Sequence, residues 1–96
     1  MVVTMLEARV TEEQQQVLVD QYGKSAAALP PFILETFLLH AAGSDMWRIA
    51  TVWASQDALD EYRASVETPE GVRIFRTAGA EPSLTIFEVA HHVAQS

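Results

Sequence analysis

The chain has 96 residues, of which 49% are apolar and 20% are charged. This length and composition fit one globular domain over residues 1–96 and exclude collagen, a coiled coil and a disordered chain. The absence of cysteine excludes disulfides, thiolate nucleophiles and cysteine-bound metals. A formal charge of −7 argues against nucleic acid and anionic membranes as partners.

The sequence shows no pattern typical of export or of membrane insertion. No apolar run reaches the roughly 18 residues that a transmembrane helix needs. The N-terminus lacks a basic segment followed by an apolar one. We therefore expect a cytoplasmic protein that does not enter the membrane.

The first two elements are predicted to be a strand and a helix. Val2–Val10 is a strand whose two faces both begin apolar, which is typical of a strand covered on both sides. Thr11 takes the N-cap position of a helix that runs to about Ala27, and Gln14 completes a capping box with it. Two consecutive prolines then exclude any continuation of the helix.

Two strands rich in aromatic and β-branched residues follow, Phe32–Ala41 and Trp47–Ala54, and Gly43-Ser44 is a plausible two-residue hairpin loop between them. This loop predicts the register of the pair. One face then carries His40 opposite Trp47, Leu38 opposite Ile49, Thr36 opposite Thr51, and Leu34 opposite Trp53. The other face carries apolar residues that include Phe37, Leu39, Ala50 and Val52.

The remaining elements are two helical pieces and a strand. Ser55 is the N-cap of a helix over Gln56–Glu67. A shorter helix begins at Pro69 and ends near Gly79. Leu84–Val93 is the last strand.

The order β-α-β-β-α-β predicts an α+β fold of the ferredoxin-like type, with helices on one face of a four-stranded antiparallel sheet. The uncovered face would expose an apolar patch that contains Phe37, Leu39, Ala50 and Val52. Because such patches usually mark an interface, we expect a homodimer formed through this face.

The segment from Arg48 to Ser65 combines a strand that ends in Trp53, a polar N-cap and an amphipathic helix. With the order of elements, it resembles the antibiotic biosynthesis monooxygenase family. The resemblance implies a dimeric α+β barrel with a pocket between the sheet and the helices of each subunit. Members include cofactor-free oxygenases of polycyclic phenols and quinones, haem-degrading enzymes, and small proteins with no clear activity.

The resemblance carries over to individual residues only in part. Trp53 matches the pocket tryptophan of the family. Tyr62 stands at the helical position where haem-degrading members place a histidine. The first-strand asparagine of those members has no counterpart, because the chain contains no Asn. We therefore expect no cofactor, and we do not expect haem as a substrate.

Three residues are candidates for catalysis. His40 is a candidate general base for a phenol; alternatively it is a half-exposed residue beside the hairpin turn. Trp53 either stacks on an aromatic ligand or packs in the core. Tyr62 either donates a hydrogen bond to a ligand or packs with its hydroxyl at the surface.

Thr36, Trp47 and Thr51 are candidates for ligand binding because they share the predicted face of His40 and Trp53. Two arginines on the short helix, Arg73 and Arg76, either frame a pocket mouth that attracts an anionic phenolate or balance Glu70 and Glu81 in solvent.

No metal site is expected from the sequence. His91 and His92 are adjacent, so a regular strand would send them to opposite faces, where they cannot bind one metal ion. No helix shows metal-ligand spacing either.

Two functions follow from these features. The first is a monooxygenase that acts on a small hydrophobic aromatic compound of the phenol or quinone type without metal or flavin. The second is a non-catalytic dimer that binds a small apolar ligand or has a structural role.

Overall fold

A computed structural model describes residues 1–95 and has the element order predicted from the sequence. Apart from a short 3-10 turn at Glu12–Gln14, the regular elements are β1 (Val2–Arg9), α1 (Gln15–Ala26), β2 (Ile33–His40), β3 (Met46–Trp53), α2 (Gln56–Ser65), α3 (Glu70–Thr77) and β4 (Ser83–Glu88). None of the described helices is long and apolar enough to cross a membrane.

The four strands form one antiparallel sheet in the order β2-β3-β1-β4. We call the face covered by the helices the inner face. It carries the buried side chains Val2, Thr4, Leu6, Ala8, Trp47, Ile49, Thr51 and Trp53. The α+β ferredoxin-like arrangement predicted from the sequence is confirmed.

The predicted register of the β2–β3 hairpin is confirmed for His40–Trp47, Leu38–Ile49 and Thr36–Thr51. The predicted opposition of Leu34 and Trp53 is wrong, because a bulge at Leu34 makes Ile33 the partner of Trp53. A bulge inserts one extra residue into one strand of a pair. Leu34 is therefore displaced from the predicted face and is 53% exposed.

The hairpin turn is centred one residue earlier than predicted. The N–H of Ser44 donates to the carbonyl of Ala41, with Ala42 and Gly43 between them. Gly43 has φ +75°, a conformation that glycine adopts without steric cost. The N–H of Ala41 still donates to the carbonyl of Met46, so the register of the strands is unchanged.

Helix termini show one failed and two successful predictions. The capping box at Thr11 is wrong: its side chain accepts no cap hydrogen bond, and a 3-10 turn precedes α1. The Ser55 hydroxyl accepts from the N–H of Ala58 at 3.0 Å, as an N-cap should. At the end of α3, Gly79 has φ +74° and Ala80 N–H donates to Phe75, which is a Schellman motif.

The last strand is shorter than predicted. β4 ends at Glu88, which pairs with Val2 at the beginning of β1. The N–H of Val89 donates to the carbonyl of Met1, and none of residues 90–95 makes a backbone hydrogen bond to β1. The predicted strand residues from Val89 to Val93 are consequently not in the sheet.

Helix α3 lies very close to β1. A Cβ atom on Gly71 would come within 2.5 Å of the Leu6 Cδ1 atom. The absence of a side chain at this position therefore permits the helix to approach the sheet. In the next turn, Ile74 and Phe75 are buried in the main core cluster together with Leu18 of α1.

None of the helices in residues 1–95 lies on the opposite side of the sheet, which we call the outer face. Rows across it follow from the strand registers: Glu35, Val52, Val3, Phe87, and then Phe37, Ala50, Met5, Thr85. Phe37, Leu39 and Phe87 are between 43% and 48% exposed. Ala50 is buried between its larger neighbours, so the predicted apolar face is present but not every member is exposed.

Candidate functional site

A cavity of about 660 Å³ lies between the helices and the inner face of the sheet. Its lining includes β-strand residues, residues of all three helices, and the segment that joins α2 to α3. The cavity occupies the position that the family resemblance implies for a pocket.

A row of three threonines crosses the sheet beneath this cavity. Thr36 pairs with Thr51 across β2 and β3, and Thr51 pairs with Thr4 across β3 and β1. Thr4 and Thr51 are 7% and 9% exposed, and all three line the cavity. We call this row the threonine floor.

Hydrogen bonds connect the threonine floor to two aromatic side chains. The Tyr22 hydroxyl of α1 donates to Thr36 Oγ1 at 3.2 Å. Thr36 Oγ1 and Thr51 Oγ1 are 3.3 Å apart and share a hydrogen bond. The indole N–H of Trp53 donates to Thr4 Oγ1 at 2.9 Å. The polar groups under the cavity are therefore arranged by specific contacts.

Aromatic rings form one side of the cavity. Trp53, which is 5% exposed, lies 5.2 Å from Tyr62 between ring centroids. Phe32 stacks on Trp53 at 5.9 Å between ring centroids, with an angle of 14° between the planes, and also lies 6.3 Å from Tyr62. Trp53 and Tyr62 line the cavity, whereas Phe32 packs against both of them without lining it. This wall can stack a flat ring, which aromatic side chains favour.

Glu70 connects the three helices at the edge of the cavity. Its backbone N–H donates to the Tyr62 hydroxyl of α2 at 2.8 Å. Its carboxylate accepts from Ser25 of α1 at 2.7 Å and from the guanidinium of Arg73. The Arg73 hydrogen bond is the main cause that lowers the pKa of Glu70; burial opposes it, and the Ser25 hydrogen bond and the charge of Arg73 lower the pKa further.

A second ion pair lies at the side toward β4. Arg76 donates two hydrogen bonds to Glu81, at 2.8 and 2.9 Å. This contact lowers the pKa of the Glu81 carboxyl and raises the pKa of Arg76. Both side chains line the cavity and are largely exposed.

Five of the eight residues singled out from the sequence line the cavity: Thr36, Thr51, Trp53, Tyr62 and Arg76. Arg73 does not line it, although it bonds to Glu70 at the edge. Trp47 is buried in the main core cluster and does not line it either.

His40 lies at the hairpin turn and does not line the cavity. Its Nε2 atom is 2.6 Å from the carbonyl oxygen of Ser44, and its ring stacks on Trp47 at 4.0 Å between centroids. The side chain is exposed. Sharing a sheet face with Trp53 does not bring His40 to the same place, because the two residues lie at opposite ends of the hairpin.

Sequence reasoning missed Thr4, Tyr22 and Glu70 as parts of the site. Thr4 lies on the inner face, but only the pairing of β1 with β3 brings it beside Thr51. Tyr22 falls in the apolar stripe of α1, and that position alone does not indicate a hydroxyl contact with β2. Of these contacts, only the one between Thr4 and Thr51 could have been found from a strand register, that of β1 with β3.

The described residues contain no cluster of three His, Asp or Glu side chains with the geometry of a metal site. The adjacent histidines, His91 and His92, follow β4 in a segment without regular structure.

The similarity of this chain to known proteins is clearest in its fold. No protein-family model matches the chain, and no curated protein sequence matches it. Solved structures do match along nearly the whole chain. A proposed antibiotic biosynthesis monooxygenase from Deinococcus radiodurans is 13% identical, with a TM-score of 0.69, over 100% of this chain and 99% of that one.

Two further structures have described activities. SnoaB, a cofactor-independent oxygenase from Streptomyces nogalater, is 17% identical over 98% of each chain, with a TM-score of 0.69. MhuD, a heme degrader from Mycobacterium tuberculosis that holds two hemes in its active site, is 24% identical over 98% of this chain and 100% of that one, also with a TM-score of 0.69. The chain therefore has the fold of the antibiotic biosynthesis monooxygenases.

Proposed function

We propose that this protein is a cofactor-independent oxygenase for a small aromatic compound of the phenol or quinone type. The observation that carries the proposal is the cavity, in which an aromatic wall meets a floor of hydroxyl groups. A flat ring with an oxygen substituent matches this pairing of surfaces. The likeness of the fold to SnoaB supports the oxygenase chemistry.

The proposed reaction needs no reductant besides the substrate. A phenol with a ring hydrogen para to its hydroxyl and one dioxygen molecule give a quinone and one water. The phenol is oxidised by four electrons: it loses two hydrogens and gains one oxygen atom. Dioxygen takes up these four electrons, and one of its oxygen atoms enters the ring while the other leaves as water. The electrons thus come from the phenolate form of the substrate.

Each part of the cavity has a role in this proposal. Trp53 and Tyr62 stack on the ring and exclude water from it. The threonine floor holds a ring oxygen. Arg76 adds positive charge at the side of the cavity, although its pairing with Glu81 weakens its pull on a phenolate. His40 has no role here, because it lies outside the cavity lining.

A second candidate function is binding without chemistry. This function is favoured because the described residues that line the cavity include no histidine that could act as a base. Of the carboxylates there, Glu70 and Glu81 are each held by an arginine. A ligand-binding protein needs no group to remove the phenol proton, whereas an oxygenase does.

Binding followed by oxygen uptake distinguishes the two functions. The protein, dialysed against a chelator, is titrated with phenols and quinones while amide chemical shifts are recorded. The same phenols are then incubated with protein in an oxygen electrode. We expect binding that shifts amides of the cavity lining, and uptake of one dioxygen per quinone formed.

Shifts without uptake above the protein-free rate would select the binding function. If none of the aromatic compounds shifts the amides of the cavity lining, both functions are contradicted.

A further inference from the structure

The hydroxyl groups of Tyr22 and of the threonine floor carry more protons than there are protein atoms positioned to accept them. Tyr22, Thr36 and Thr51 carry three hydroxyl protons, and two hydrogen bonds connect them. With Tyr22 donating to Thr36, one proton of the Thr36–Thr51 pair has no acceptor, whichever of the two donates to the other. No further acceptor contacts these hydroxyls among residues 1–95.

Thr4 has a second proton of this kind. Its Oγ1 atom accepts the indole N–H of Trp53, so in this contact the hydroxyl acts only as an acceptor. In the described part of the chain, no oxygen or nitrogen accepts the Thr4 hydroxyl proton. Because Thr4 is 7% exposed and lines the cavity, the cavity is where an acceptor can reach it.

When Thr36 donates to Thr51, the two spare protons belong to Thr4 and Thr51. These residues are directly opposite each other in the β1–β3 pair and point to the same face. Cβ atoms of such partners are roughly 4.5–5.5 Å apart. One oxygen atom placed above the pair can therefore accept from both. Buried hydroxyl donors that stay unpaired are costly, so a ligand that pairs them is favoured.

We propose that Thr4 and Thr51 select ligands by an acceptor oxygen, either a quinone carbonyl or a phenolate oxygen, which receives a hydrogen bond from each side of the threonine floor. A carbonyl or phenolate oxygen has the lone pairs that two donors require. This inference rests on the proposed aromatic ligand and adds how that ligand is oriented: its oxygen points to the sheet and its ring lies along Trp53.

The test compares 1,4-naphthoquinone with naphthalene, which has the same ring system without oxygen. Dissociation constants are measured by amide chemical-shift titration of the full chain and of its Thr4→Val and Thr51→Val variants. The chain has no cysteine, so thiols cannot add to the quinone. We expect each variant to weaken naphthoquinone by roughly two- to tenfold, the range for one hydrogen bond, and to leave naphthalene unchanged.

Thr85→Val is the matched control, because Thr85 is exposed on the outer face opposite Met5. It should bind both molecules like the wild type. Thr4→Ser and Thr51→Ser keep the hydroxyl and should retain the affinity for naphthoquinone. The serine variants also provide folded comparisons if Thr4→Val, which leaves the Trp53 N–H unpaired, proves unstable.

Equal weakening of both molecules by the valine variants, or of neither, would overturn the selection by an acceptor oxygen while leaving the cavity as an aromatic site. If neither molecule binds the folded wild-type chain, the proposed aromatic ligand fails and this inference fails with it. Binding that follows the expected pattern without oxygen uptake would overturn only the oxygenase chemistry.

Discussion

The two tryptophans are buried to a similar extent but differ in what their indole N–H groups meet. Trp53 is 5% exposed and donates to Thr4, whereas Trp47 is 8% exposed and its Nε1 has no hydrogen-bond partner in the described structure. Only Trp53 lines the cavity. Substituting each tryptophan in turn therefore distinguishes the effect of losing an indole ring in the core from the effect of losing one at the site.

Trp53→Phe should lower both stability and ligand affinity. Phenylalanine keeps an aromatic ring but loses the hydrogen bond to Thr4, which contributes about 1 kcal/mol. It also changes the stacking surface for a ring in the cavity. Thermal unfolding and naphthoquinone titration, the latter well below the melting temperature, measure the two effects separately.

Trp47→Phe is the control, since it removes a similar volume without breaking a hydrogen bond. It should lower the melting temperature without changing ligand affinity. If Trp53→Phe affects only stability, Trp53 is a packing residue and its place in the proposed site is lost.

Glu70→Gln should reduce stability at neutral pH, and the difference from the wild type should disappear in acid. The pKa of Glu70 is lowered in the folded chain by Arg73. Its contribution is therefore present above the unfolded pKa and is lost as the pH falls through the lower, folded pKa. Urea unfolding of both proteins at neutral pH and in strong acid measures the difference.

Glu12→Gln supplies the comparison, because Glu12 is exposed and makes no ion pair within residues 1–95. It should change stability less than Glu70→Gln at neutral pH. A stability difference for Glu70→Gln that persists unchanged into strong acid would contradict the role assigned to the carboxylate.

Haem should not form a specific complex with this protein. Tyr62, at the position that suggested an axial ligand, already accepts the N–H of Glu70 through its hydroxyl oxygen. Titration with haemin should give only weak absorbance changes that do not saturate. Tyr62→His is the positive comparison and should gain a saturable spectrum. A tight wild-type complex with reductant-dependent ring cleavage would reverse this assignment.

Single residues were the hardest features to predict from the sequence. His40 and Trp53 share a face in the correct register, yet five residues of β3 lie between Trp47, the partner of His40, and Trp53. Distance along a strand, and not face alone, determines whether side chains meet. Thr4 required the register between strands that are distant in sequence, which local patterns do not contain.

Among the elements, two helix starts that look alike in sequence behave differently. Ser55 accepts from the N–H of Ala58, whereas the Thr11 side chain accepts nothing. At Thr11 the backbone carbonyl receives the N–H of Gln14 instead, in a 3-10 turn. A residue with a side-chain hydroxyl at the start of a helix therefore need not supply a cap.

Ser55→Ala should destabilise the protein by about 1 kcal/mol, because an orphan N–H of α2 loses its acceptor. Thr11→Ala should cost much less, since no side-chain cap is lost there. Urea unfolding of the two variants checks the difference. Equal losses would mean that the Thr11 hydroxyl caps the helix in solution.

The bounds of a helix or strand could be predicted from the sequence where residues of that element determine them. Prolines and glycines marked the helix limits, and alternation marked the strands. The end of β4 is different, because it depends on where β1 begins to offer hydrogen bonds. The segment after Glu88 contains the β-branched residues Val89 and Val93, but within residues 89–95 only Val89 has a backbone hydrogen bond to the beginning of the chain, at Met1.

At the scale of the whole molecule, the main question is the role of the outer face. We propose that two copies of the chain contact each other through it and form a homodimer. Phe37, Leu39 and Phe87 are exposed on one side of the sheet, and no described helix covers them. Glu7 and Arg48 form an ion pair at one end of this face. Apolar side chains with a polar border are typical of an interface.

Val52→Asp should convert the proposed dimer to monomer or aggregate. Val52 lies between Glu35 and Val3 in a row of the outer face. Burying an unpaired carboxylate there costs several kcal/mol. Sedimentation of the two proteins measures the assembly. Val19→Asp, on the exposed side of α1, should leave it unchanged; a Val52→Asp dimer as stable as the wild type would remove the interface from this face.

The bulge at Leu34 allows one position of β2 to vary on the outer face without changing the inner face. In an unbroken strand, position 34 would point into the cavity; with the bulge it borders the same shallow depression as Val3 and Val52. Ile33 and Thr36 keep their inward pairing on either side of it. Substitutions at position 34 can therefore change the outer face, and with it the proposed contact between copies of the chain, while the residues that line the cavity stay the same.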